Sequence, residues 1–261
     1  MSGVKSMPTL LIVMGTSGSG KSTVGAALSN ALSCPFVDGD DLHPSSNVEK
    51  MSTGQPLNDD DREPWLLTIR RKGLELAETQ NVASISKGEK ADKEVVEVLE
   101  TSQQTTTLRD IASQHTQNNN NNNNNNNINE GHNAATKGSK NKLAIIACSS
   151  LKLNYRRLLR GTLTSLADPA ALKPESDVPT PTDLRVIHIY LDLSKELLEE
   201  RMANRKGHFM KLDMLYSQLD TLQRPNEEEE VGTVVVKVER DSSTEDIVRG
   251  VVERLKGKGV I

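Results

Sequence analysis

A glycine-rich segment near the start of the chain has the composition of a phosphate-binding loop. Residues 15–22 read Gly-Thr-Ser-Gly-Ser-Gly-Lys-Ser and fit the pattern G-x-x-x-x-G-K-[ST] in full. Glycines let such a loop curl so that successive backbone N–H groups point at phosphate oxygens. Lys21 then reaches the β- and γ-phosphates, and the Ser22 hydroxyl holds Mg²⁺. The motif predicts a nucleoside triphosphate site, against the alternative of a glycine-rich turn that binds nothing. The residues assigned to it are Gly15, Thr16, Ser17, Gly18, Ser19, Gly20, Lys21, Ser22 and Thr23.

Two aspartates at the end of a second apolar segment could handle a metal ion and a proton. Asp38 and Asp40 flank a glycine where a strand predicted at 35–38 ends. The carboxyl ends of strands in a doubly wound sheet open onto its ligand crevice. One carboxylate could order the water shell of Mg²⁺ while the other accepts a hydroxyl proton. An acidic turn that only ends the strand is the alternative.

A polar stretch further along the chain is unusual for a loop. Residues 59–61 are three consecutive aspartates, followed by Arg62 and by Trp65, the only tryptophan. This composition favours a binding role and, equally, the solvated first turn of a helix, where acidic residues are stabilised by the helix dipole. His43 precedes the stretch; alone, such a histidine is more typical of a surface or capping position.

Strand and helix patterns alternate around these polar residues. Residues 10–14 are wholly apolar, which is typical of a strand buried on both faces, and 24–32 show helical spacing. Further strands are predicted at 35–38, 143–147, 186–191 and 233–238, and further helices at 65–77, at 154–160 closed by Gly161, after a Ser194 cap, and after a capping box of Ser243 and Asp246. This alternation predicts an α/β fold with a parallel sheet covered on both faces.

Two polar stretches interrupt the pattern. Residues 101–142 contain almost no core-forming side chains, and 118–127 are ten consecutive asparagines. Such composition buries too little apolar area to offset the entropy of ordering. We therefore predict one domain over 1–261, interrupted by a disordered insert at about 83–141, with a transient helix at 93–100, and by a proline-rich surface loop at about 167–183.

Composition excludes several classes of function. The 32 Lys and Arg against 36 Asp and Glu give a net charge of −4, and only six residues are aromatic, so no nucleic-acid partner is expected. The longest apolar runs have five or six residues, far short of the roughly 20 that cross a bilayer, and no signal peptide is visible. Cys34 and Cys148 lie in or beside apolar segments, which favours buried thiols and a cytoplasmic location over a disulfide.

Several sequence blocks together resemble the gluconokinase family. These blocks are residues 14–23, 38–44, 47–51, 54–62 with 64–65, 148–152 with 155–156, and 205–209 with Leu215. They occur in the family's order and cover about 10–80, 142–167 and 184–257. Only the first block is shared widely among other proteins, so the combination is specific.

The resemblance implies a fold and a reaction. The fold is that of P-loop NTPases of the nucleoside monophosphate kinase type, a three-layer α/β/α arrangement with a five-stranded parallel sheet and a mobile lid. The reaction is transfer of the γ-phosphoryl group of ATP, with Mg²⁺, to the 6-hydroxyl of D-gluconate. A homodimer is implied as well.

The acceptor residues implied by the resemblance suit a carboxylate with a polyol tail. Asp40 is placed as the general base, and with His43 it holds hydroxyl groups. Arg62, Lys152 and Arg156 meet the carboxylate or the transferring phosphoryl group. Lys152 and Arg156 are four residues apart, hence neighbours on a helix. A basic exposed helix face is the alternative.

The remaining roles concern the metal ion and the lid. Asp38 joins Ser22 at Mg²⁺. In the lid, Arg201 is expected against the adenine, Arg205 near the γ-phosphoryl group and His208 at the substrate. A cation-rich helix end is the alternative.

One residue departs from the family's pattern, and two other functions remain open. Arg224 stands where an acidic or neutral residue is expected. A kinase resembling shikimate kinase is the first alternative, although it would need an arginine-rich acceptor site without this constellation of residues. A nucleotide-binding adaptor without catalysis, using the asparagine-rich insert for interaction, is the second.

Overall fold

A five-stranded parallel sheet lies at the centre of the fold. The structure, a computed structural model, describes residues 7–79, 142–174, 179–204 and 211–261. Within them the strands are β1 (Thr9–Met14), β2 (Phe36–Asp38), β3 (Leu143–Ala147), β4 (Arg185–Asp192) and β5 (Thr233–Lys237). Their order across the sheet is β2-β3-β1-β4-β5. Every residue of β1 is buried, as expected for an almost wholly apolar strand in the middle of a parallel sheet.

Helices connect the strands and cover both faces of the sheet. The α-helices of the described residues are α1 (Lys21–Leu32), α2 (Ser45–Ser52), α3 (Asp59–Thr79), α4 (Leu153–Arg160), α5 (Lys195–Asn204), α6 (Lys211–Thr221) and α7 (Thr244–Gly257). Short 3-10 helices lie at Gly39–Leu42 and Pro169–Leu172.

Successive side chains of β1 point to opposite faces of the sheet and contribute to two separate hydrophobic cores. Leu11 and Val13 pack with buried residues of α1, α5, α6 and α7. Leu10 and Ile12 pack on the other face with residues of α3 and α4. The second core depends on Gly73, because a Cβ there would lie 2.4 Å from Leu10 Cδ2. The result is the predicted three-layer α/β/α arrangement.

The predicted strands and several helix ends are confirmed. Each strand ends within one residue of its prediction. Gly161 closes α4 in the left-handed conformation, with a φ of 79°. The Ser194 hydroxyl accepts a hydrogen bond from the Leu197 amide at 3.2 Å, and Ser243 with Asp246 forms the predicted capping box of α7.

The start of α3 differs from its prediction. The helix begins at Asp59 instead of Trp65, and α2 before it was not predicted. The Asp61 amide donates to Asn58 Oδ1 at 2.9 Å, while the Asn58 amide donates to Asp61 Oδ2 at 2.8 Å. This reciprocal cap explains the earlier start. The acidic stretch is therefore the first turn of a helix, as one of the two interpretations held.

The described part of the proline-rich loop is anchored by a buried arginine. The Arg157 side chain is 2% exposed and donates hydrogen bonds to the carbonyl oxygens of Ala170, Ala171 and Lys173. Leu172, by contrast, is 92% exposed. The described part of the loop thus has an exposed side chain at Leu172 and is fixed to α4 through Arg157.

Other predictions fall partly or wholly outside the described residues. The described residues belong to one compact unit, 1–83 with 141–261, and a second unit spans 84–140. The insert at about 83–141 and the helix at 93–100 lie outside the described residues and remain predictions. Cys34 and Cys148 are free and buried, as expected. Burial raises the pKa of Cys34 to about 12 and that of Cys148 to about 11. No helix in the described ranges is long and apolar enough to cross a bilayer.

Candidate active site

The glycine-rich loop joins β1 to α1, as its motif requires. Gly20 is the N-cap of α1, so the loop delivers its backbone amides to the positive end of the helix dipole. Gly18 and Gly20 have φ angles of 82° and 91°, which L side chains rarely adopt. A Cβ on Gly18 would also lie 3.0 Å from Met202 Cγ. This geometry is that of a phosphate cradle.

Two cations lie at this cradle. Lys21 Nζ donates a hydrogen bond to the Thr16 carbonyl at 3.1 Å, which holds the ammonium group across the mouth of the loop. Arg201 Nη1 donates to the Ser19 carbonyl at 3.3 Å. The structure therefore places both predicted cations where they can meet phosphate oxygens or the nucleotide.

Ser22 and Asp38, called the metal pair here because both are predicted to hold Mg²⁺, lie in contact. The Ser22 hydroxyl donates to Asp38 Oδ2 at 2.5 Å, and Asp38 Oδ1 accepts from the Asp40 amide at 3.1 Å. Hydroxyl and carboxylate oxygens are the ligand type that Mg²⁺ prefers, and Mg²⁺ commonly takes only one or two carboxylates besides phosphate and water. No group of three or more metal-binding side chains occurs among the described residues. The pair present fits Mg²⁺ that is completed by a nucleotide.

The turn after β2 is held against α3. Asp40 lies exposed in the 3-10 helix Gly39–Leu42. The Trp65 indole donates to the Gly39 carbonyl at 2.7 Å, and the His43 ring stacks on Trp65 with centroids 4.1 Å apart. Partial burial lowers the pKa of His43, although the nearby Asp40 opposes this. His43 is therefore mainly neutral near pH 7 and able to exchange hydrogen bonds with hydroxyl groups.

A second polar cluster, called the acceptor cluster here, comprises Asp59, Arg62, Lys152 and Tyr155. Lys152 Nζ lies 2.8 Å from both carboxylate oxygens of Asp59. The Tyr155 hydroxyl also donates to Asp59, and Arg62 Nη1 lies 3.5 Å from that hydroxyl oxygen. Partial burial acts to raise the pKa of Asp59, but hydrogen bonds from Lys152 and Tyr155 outweigh it and lower that pKa. The cluster combines two cations with one anionic hydrogen-bond acceptor.

Comparison with known proteins assigns these elements to a family. The chain is similar to the thermoresistant gluconokinase of Escherichia coli K12, with 30% identity over 247 residues that cover 95% of this chain and 93% of the relative. It is 31% identical to the gluconokinase of Gluconobacter oxydans 621H over 93% of this chain and 90% of that protein. The chain belongs to the gluconokinase family.

A solved structure agrees with this membership, and a family model supports the fold. The crystal structure of a gluconokinase from Sinorhizobium meliloti 1021 matches with a TM-score of 0.54 and 30% identity, over 97% of this chain and 99% of that one. A shikimate kinase family model matches residues 17–130. The predicted P-loop kinase fold is therefore confirmed. Membership of a kinase family implies ATP as the phosphoryl donor.

One predicted substrate residue does not lie at this gluconokinase-family site. The Arg156 side chain is 1% exposed, and its Nε and Nη2 donate to the Glu230 carboxylate at 2.6 and 2.8 Å. Its Nη1 donates to the Ser150 and Leu151 carbonyls. Helix α4 directs the Arg156 side chain into the protein, whereas Lys152, the N-cap residue of α4, is partly exposed. The prediction that Arg156 contacts the substrate is therefore corrected, because Arg156 forms a buried ion pair with Glu230.

Three further residues singled out in the sequence have different outcomes. Arg205 and His208 lie outside the described residues, and their roles remain predictions. Arg224, the departure from the gluconokinase pattern, lies with its Nη1 3.2 Å from Asp192 Oδ1. It thus forms a surface ion pair with the end of β4.

Two site residues were missed from the sequence. The Ser17 amide donates to Gln218 Oε1 at 2.6 Å, which brings α6 onto the phosphate loop. No local pattern marks Gln218, since its partner is 201 residues away. Tyr155 appeared only within the block resembling gluconokinases, whereas the structure places its hydroxyl between Asp59 and Arg62.

Proposed function

We propose that the protein transfers the γ-phosphoryl group of ATP to the 6-hydroxyl of D-gluconate and forms 6-phospho-D-gluconate. The observation that carries the proposal is the pairing, in one member of the gluconokinase family, of a complete phosphate loop with a separate acceptor cluster. The loop follows β1 and the cluster lies at the N-terminal ends of α3 and α4. Both therefore belong to the edge of the sheet where parallel α/β folds bind ligands.

The nucleotide half of the site is built from the loop and its neighbours. Backbone amides of the loop cradle the phosphates, and Lys21 reaches the β- and γ-phosphates. Ser22 and Asp38 would hold Mg²⁺, whose charge neutralises phosphate oxygens when it is bound. Arg201 already contacts the loop at the Ser19 carbonyl, which supports a place beside the nucleotide.

The acceptor half suits an anionic polyol. Gluconate carries one carboxylate and several hydroxyl groups, so it requires cations at one end and hydrogen-bonding groups along the rest. We assign the carboxylate to Lys152 and Arg62, and hydroxyl groups to His43 and Asp59. Lys152 is paired with Asp59. When the gluconate carboxylate contacts Lys152, the gluconate hydroxyl groups therefore lie close enough to donate hydrogen bonds to the Asp59 oxygens.

Asp40 is the proposed general base. It lies in the turn between the metal pair and His43 and is exposed among the residues that the structure describes. From there it can accept the proton of the attacking 6-hydroxyl as the bond to phosphorus forms. Arg205 and His208 are proposed to close on the γ-phosphoryl group and the substrate.

Further properties are proposed from the family resemblance and from composition. The protein is proposed to be a cytoplasmic homodimer without a nucleic-acid or membrane partner. Sedimentation of the purified chain tests the dimer, because a monomer at micromolar concentration contradicts it.

One assay separates this function from its alternatives. Purified protein with ATP and Mg²⁺ is given gluconate, shikimate or no acceptor, and ADP release and the phosphorylated product are followed. We expect ADP release that depends on gluconate, with a 6-phosphate signal in ³¹P NMR. Turnover in the shikimate arm but not in the gluconate arm would contradict the proposal and indicate a shikimate kinase. Nucleotide binding without turnover in any arm would favour the adaptor.

A further inference from the structure

Three consecutive residues of the phosphate loop are each contacted by a helix that lies far away in the sequence. The Ser17 amide donates to Gln218 Oε1 at 2.6 Å. The Gly18 Cα faces Met202, since a Cβ there would be 3.0 Å from Met202 Cγ. The third residue, Ser19, accepts the hydrogen bond from Arg201 described above. Helices α5 and α6 thus share the outer side of the loop, and Gln218 is the contact that α6 contributes.

The position of Gln218 is fixed by the packing of α6. Leu215, one helical turn earlier on the same face, is fully buried. The Tyr216 hydroxyl donates to Glu199 of α5 at 2.9 Å, and Lys195 Nζ lies 5.0 Å from the centre of the Tyr216 ring. Gln218 therefore meets the loop from a helix that is tied to its neighbour.

The two polar atoms of the Gln218 carboxamide differ in their hydrogen bonding. A glutamine side chain offers an oxygen that accepts hydrogen bonds and an NH₂ group with two donors. The oxygen is bonded to Ser17, whereas the Nε2 donates to no group among the residues that the structure describes. Because both atoms belong to one small planar group, these donors lie beside the phosphate loop.

The position of Lys21 shows which phosphate lies nearest. In a phosphate loop the backbone amides cradle the α- and β-phosphates, while the lysine reaches the β- and γ-phosphates. Lys21 Nζ is bonded to the carbonyl of Thr16, the residue directly before Ser17. The Ser17–Gln218 contact therefore lies on the side of the cradle that Lys21 serves, which is the side of the β- and γ-phosphates.

We propose that Gln218 holds the first turn of the phosphate loop through Oε1 and binds the γ-phosphoryl group of ATP through Nε2. The proposal rests on the nucleotide half of the proposed function. Hydrogen-bond donors fixed beside the transferring group stabilise the charge on its oxygens without reorganisation. Gln218 thereby distinguishes ATP from ADP, which lacks the group it binds.

Two substitutions separate this role from a structural one. Gln218→Glu keeps an oxygen acceptor for the Ser17 amide but removes both donors and places negative charge at the γ-phosphate. Gln218→Met has a similar length and removes acceptor and donors together. If Gln218 only supported the loop, the uncharged Met variant would lose affinity for ADP and for an ATP analogue equally, whereas loss of a bond to the γ-phosphoryl group weakens binding of the analogue more.

The decisive measurement is calorimetric binding of ADP and of a non-hydrolysable ATP analogue, each with Mg²⁺, to the full chain. For Gln218→Glu we expect analogue affinity to fall about 10- to 100-fold, the range for a lost hydrogen bond to a charged group, while ADP affinity stays within about threefold. The kcat with gluconate should fall at least as much as analogue affinity. Equal losses for ADP and the analogue overturn the proposal, as do wild-type values for Gln218→Glu or a loss of folding in either variant.

A matched control lies on the same helix. Asp220→Asn changes an exposed side chain of α6 and leaves Gln218 and the contacts between α5 and α6 untouched, so both nucleotide affinities should match the wild type. The binding comparison needs no acceptor. Failure of gluconate turnover in the wild type therefore counts against the proposed function, whereas loss of the ADP-analogue difference counts against the role of Gln218.

Discussion

The Ser22 hydroxyl donates a hydrogen bond to the Asp38 carboxylate at 2.5 Å and joins the first turn of α1 to the end of β2. This contact links the two motifs that the sequence separates by sixteen residues. It also places a hydroxyl and a carboxylate oxygen side by side before any ligand is considered. The fold therefore preorganises the metal pair, since β2 is a strand of the sheet and α1 packs against that sheet.

Asp38→Asn tests the metal pair. The amide still accepts a hydrogen bond from Ser22 but no longer carries the negative charge that attracts Mg²⁺. We expect the Mg²⁺ concentration for half-maximal rate to rise at least about tenfold, in line with the loss of one interaction with a charged group. Titration of the rate with MgCl₂ at saturating ATP measures this. Asp41→Asn, an exposed neighbour in the same turn, is the control; an equal shift in both variants would contradict the assignment.

Lys21→Ala tests the phosphate loop. The substitution removes the cation that is held at the Thr16 carbonyl, so phosphoryl transfer should fall by orders of magnitude. The melting temperature should change little, because Lys21 is partly exposed and lies outside both cores. Turnover near the wild-type level with ATP and Mg²⁺ would show that the loop is not the site of transfer.

Glu230→Gln tests the buried ion pairs that hold Arg156. Glu230 accepts hydrogen bonds from Arg156 and Arg160, and all three side chains are at most 7% exposed. Removing one partner leaves charge buried without compensation, which costs about 3–5 kcal/mol. Thermal or urea unfolding measures the loss. Glu229→Gln, an exposed neighbour, should be neutral; a loss below about 1 kcal/mol for Glu230→Gln would place it among ordinary surface pairs.

The same pair predicts a pH dependence. Burial acts to raise the pKa of Glu230, but hydrogen bonds and charge from Arg156 and Arg160 outweigh it and lower that pKa below its ordinary value of 4.5. A carboxylate whose pKa is lowered in the folded state stabilises the protein above its unfolded pKa and loses this contribution as the pH falls through the folded pKa. The stability difference between wild type and Glu230→Gln should therefore be constant above about pH 5.5 and shrink as the pH falls below 4.5.

Deletion of residues 101–141 behind a short linker tests the predicted insert. Because this stretch has almost no core-forming side chains, and because loop length costs little free energy, kcat and KM should stay within a few-fold of the wild type. Deletion of the ten asparagines at 118–127 alone gives a milder comparison. Loss of folding or of activity in the larger deletion would mean that the segment contributes to the structure.

Local signals predicted the elements that depend on neighbours in the sequence. The apolar run of β1 and the Ser243–Asp246 capping box each encode their structure within a few residues, and both are confirmed. The phosphate loop belongs to the same class, since glycine spacing and the adjoining helix suffice to build it. The Ser22–Asp38 contact was also accessible, because it joins two motifs that both follow strands.

Contacts made between distant segments could not be predicted in the same way. Arg156 and Lys152 look alike in sequence, yet Glu230 from another segment pairs with Arg156 and turns it into an interior residue. Gln218 carries no motif, and only the packing of α6 against the loop gives it a partner. Helical spacing states which residues are neighbours on a helix; the side of the helix that meets the substrate depends on tertiary packing.

Asp40→Asn and Lys152→Ala together separate chemistry from binding at the acceptor. The Asn variant keeps the shape and one acceptor oxygen but loses charge and basicity. General bases contribute about 10²- to 10⁴-fold to rates, although a loose phosphoryl-transfer transition state depends less on one. We therefore expect kcat to fall at least about 100-fold with ATP affinity little changed.

Lys152→Ala should give the opposite pattern. This cation is assigned to the gluconate carboxylate and lies 2.8 Å from Asp59, so its loss should mainly raise the KM for gluconate and leave kcat less affected. Lys50→Ala is a matched control. Lys50 of α2 pairs at 2.5 Å with Asp61, which lies on the same helix as Asp59, but Lys50 is not assigned to the substrate. Steady-state kinetics on all three variants decide between the roles. An Asp40→Asn enzyme that kept its kcat and lost only gluconate affinity would make Asp40 a positioning residue, and proton removal would then not require a protein base at this turn.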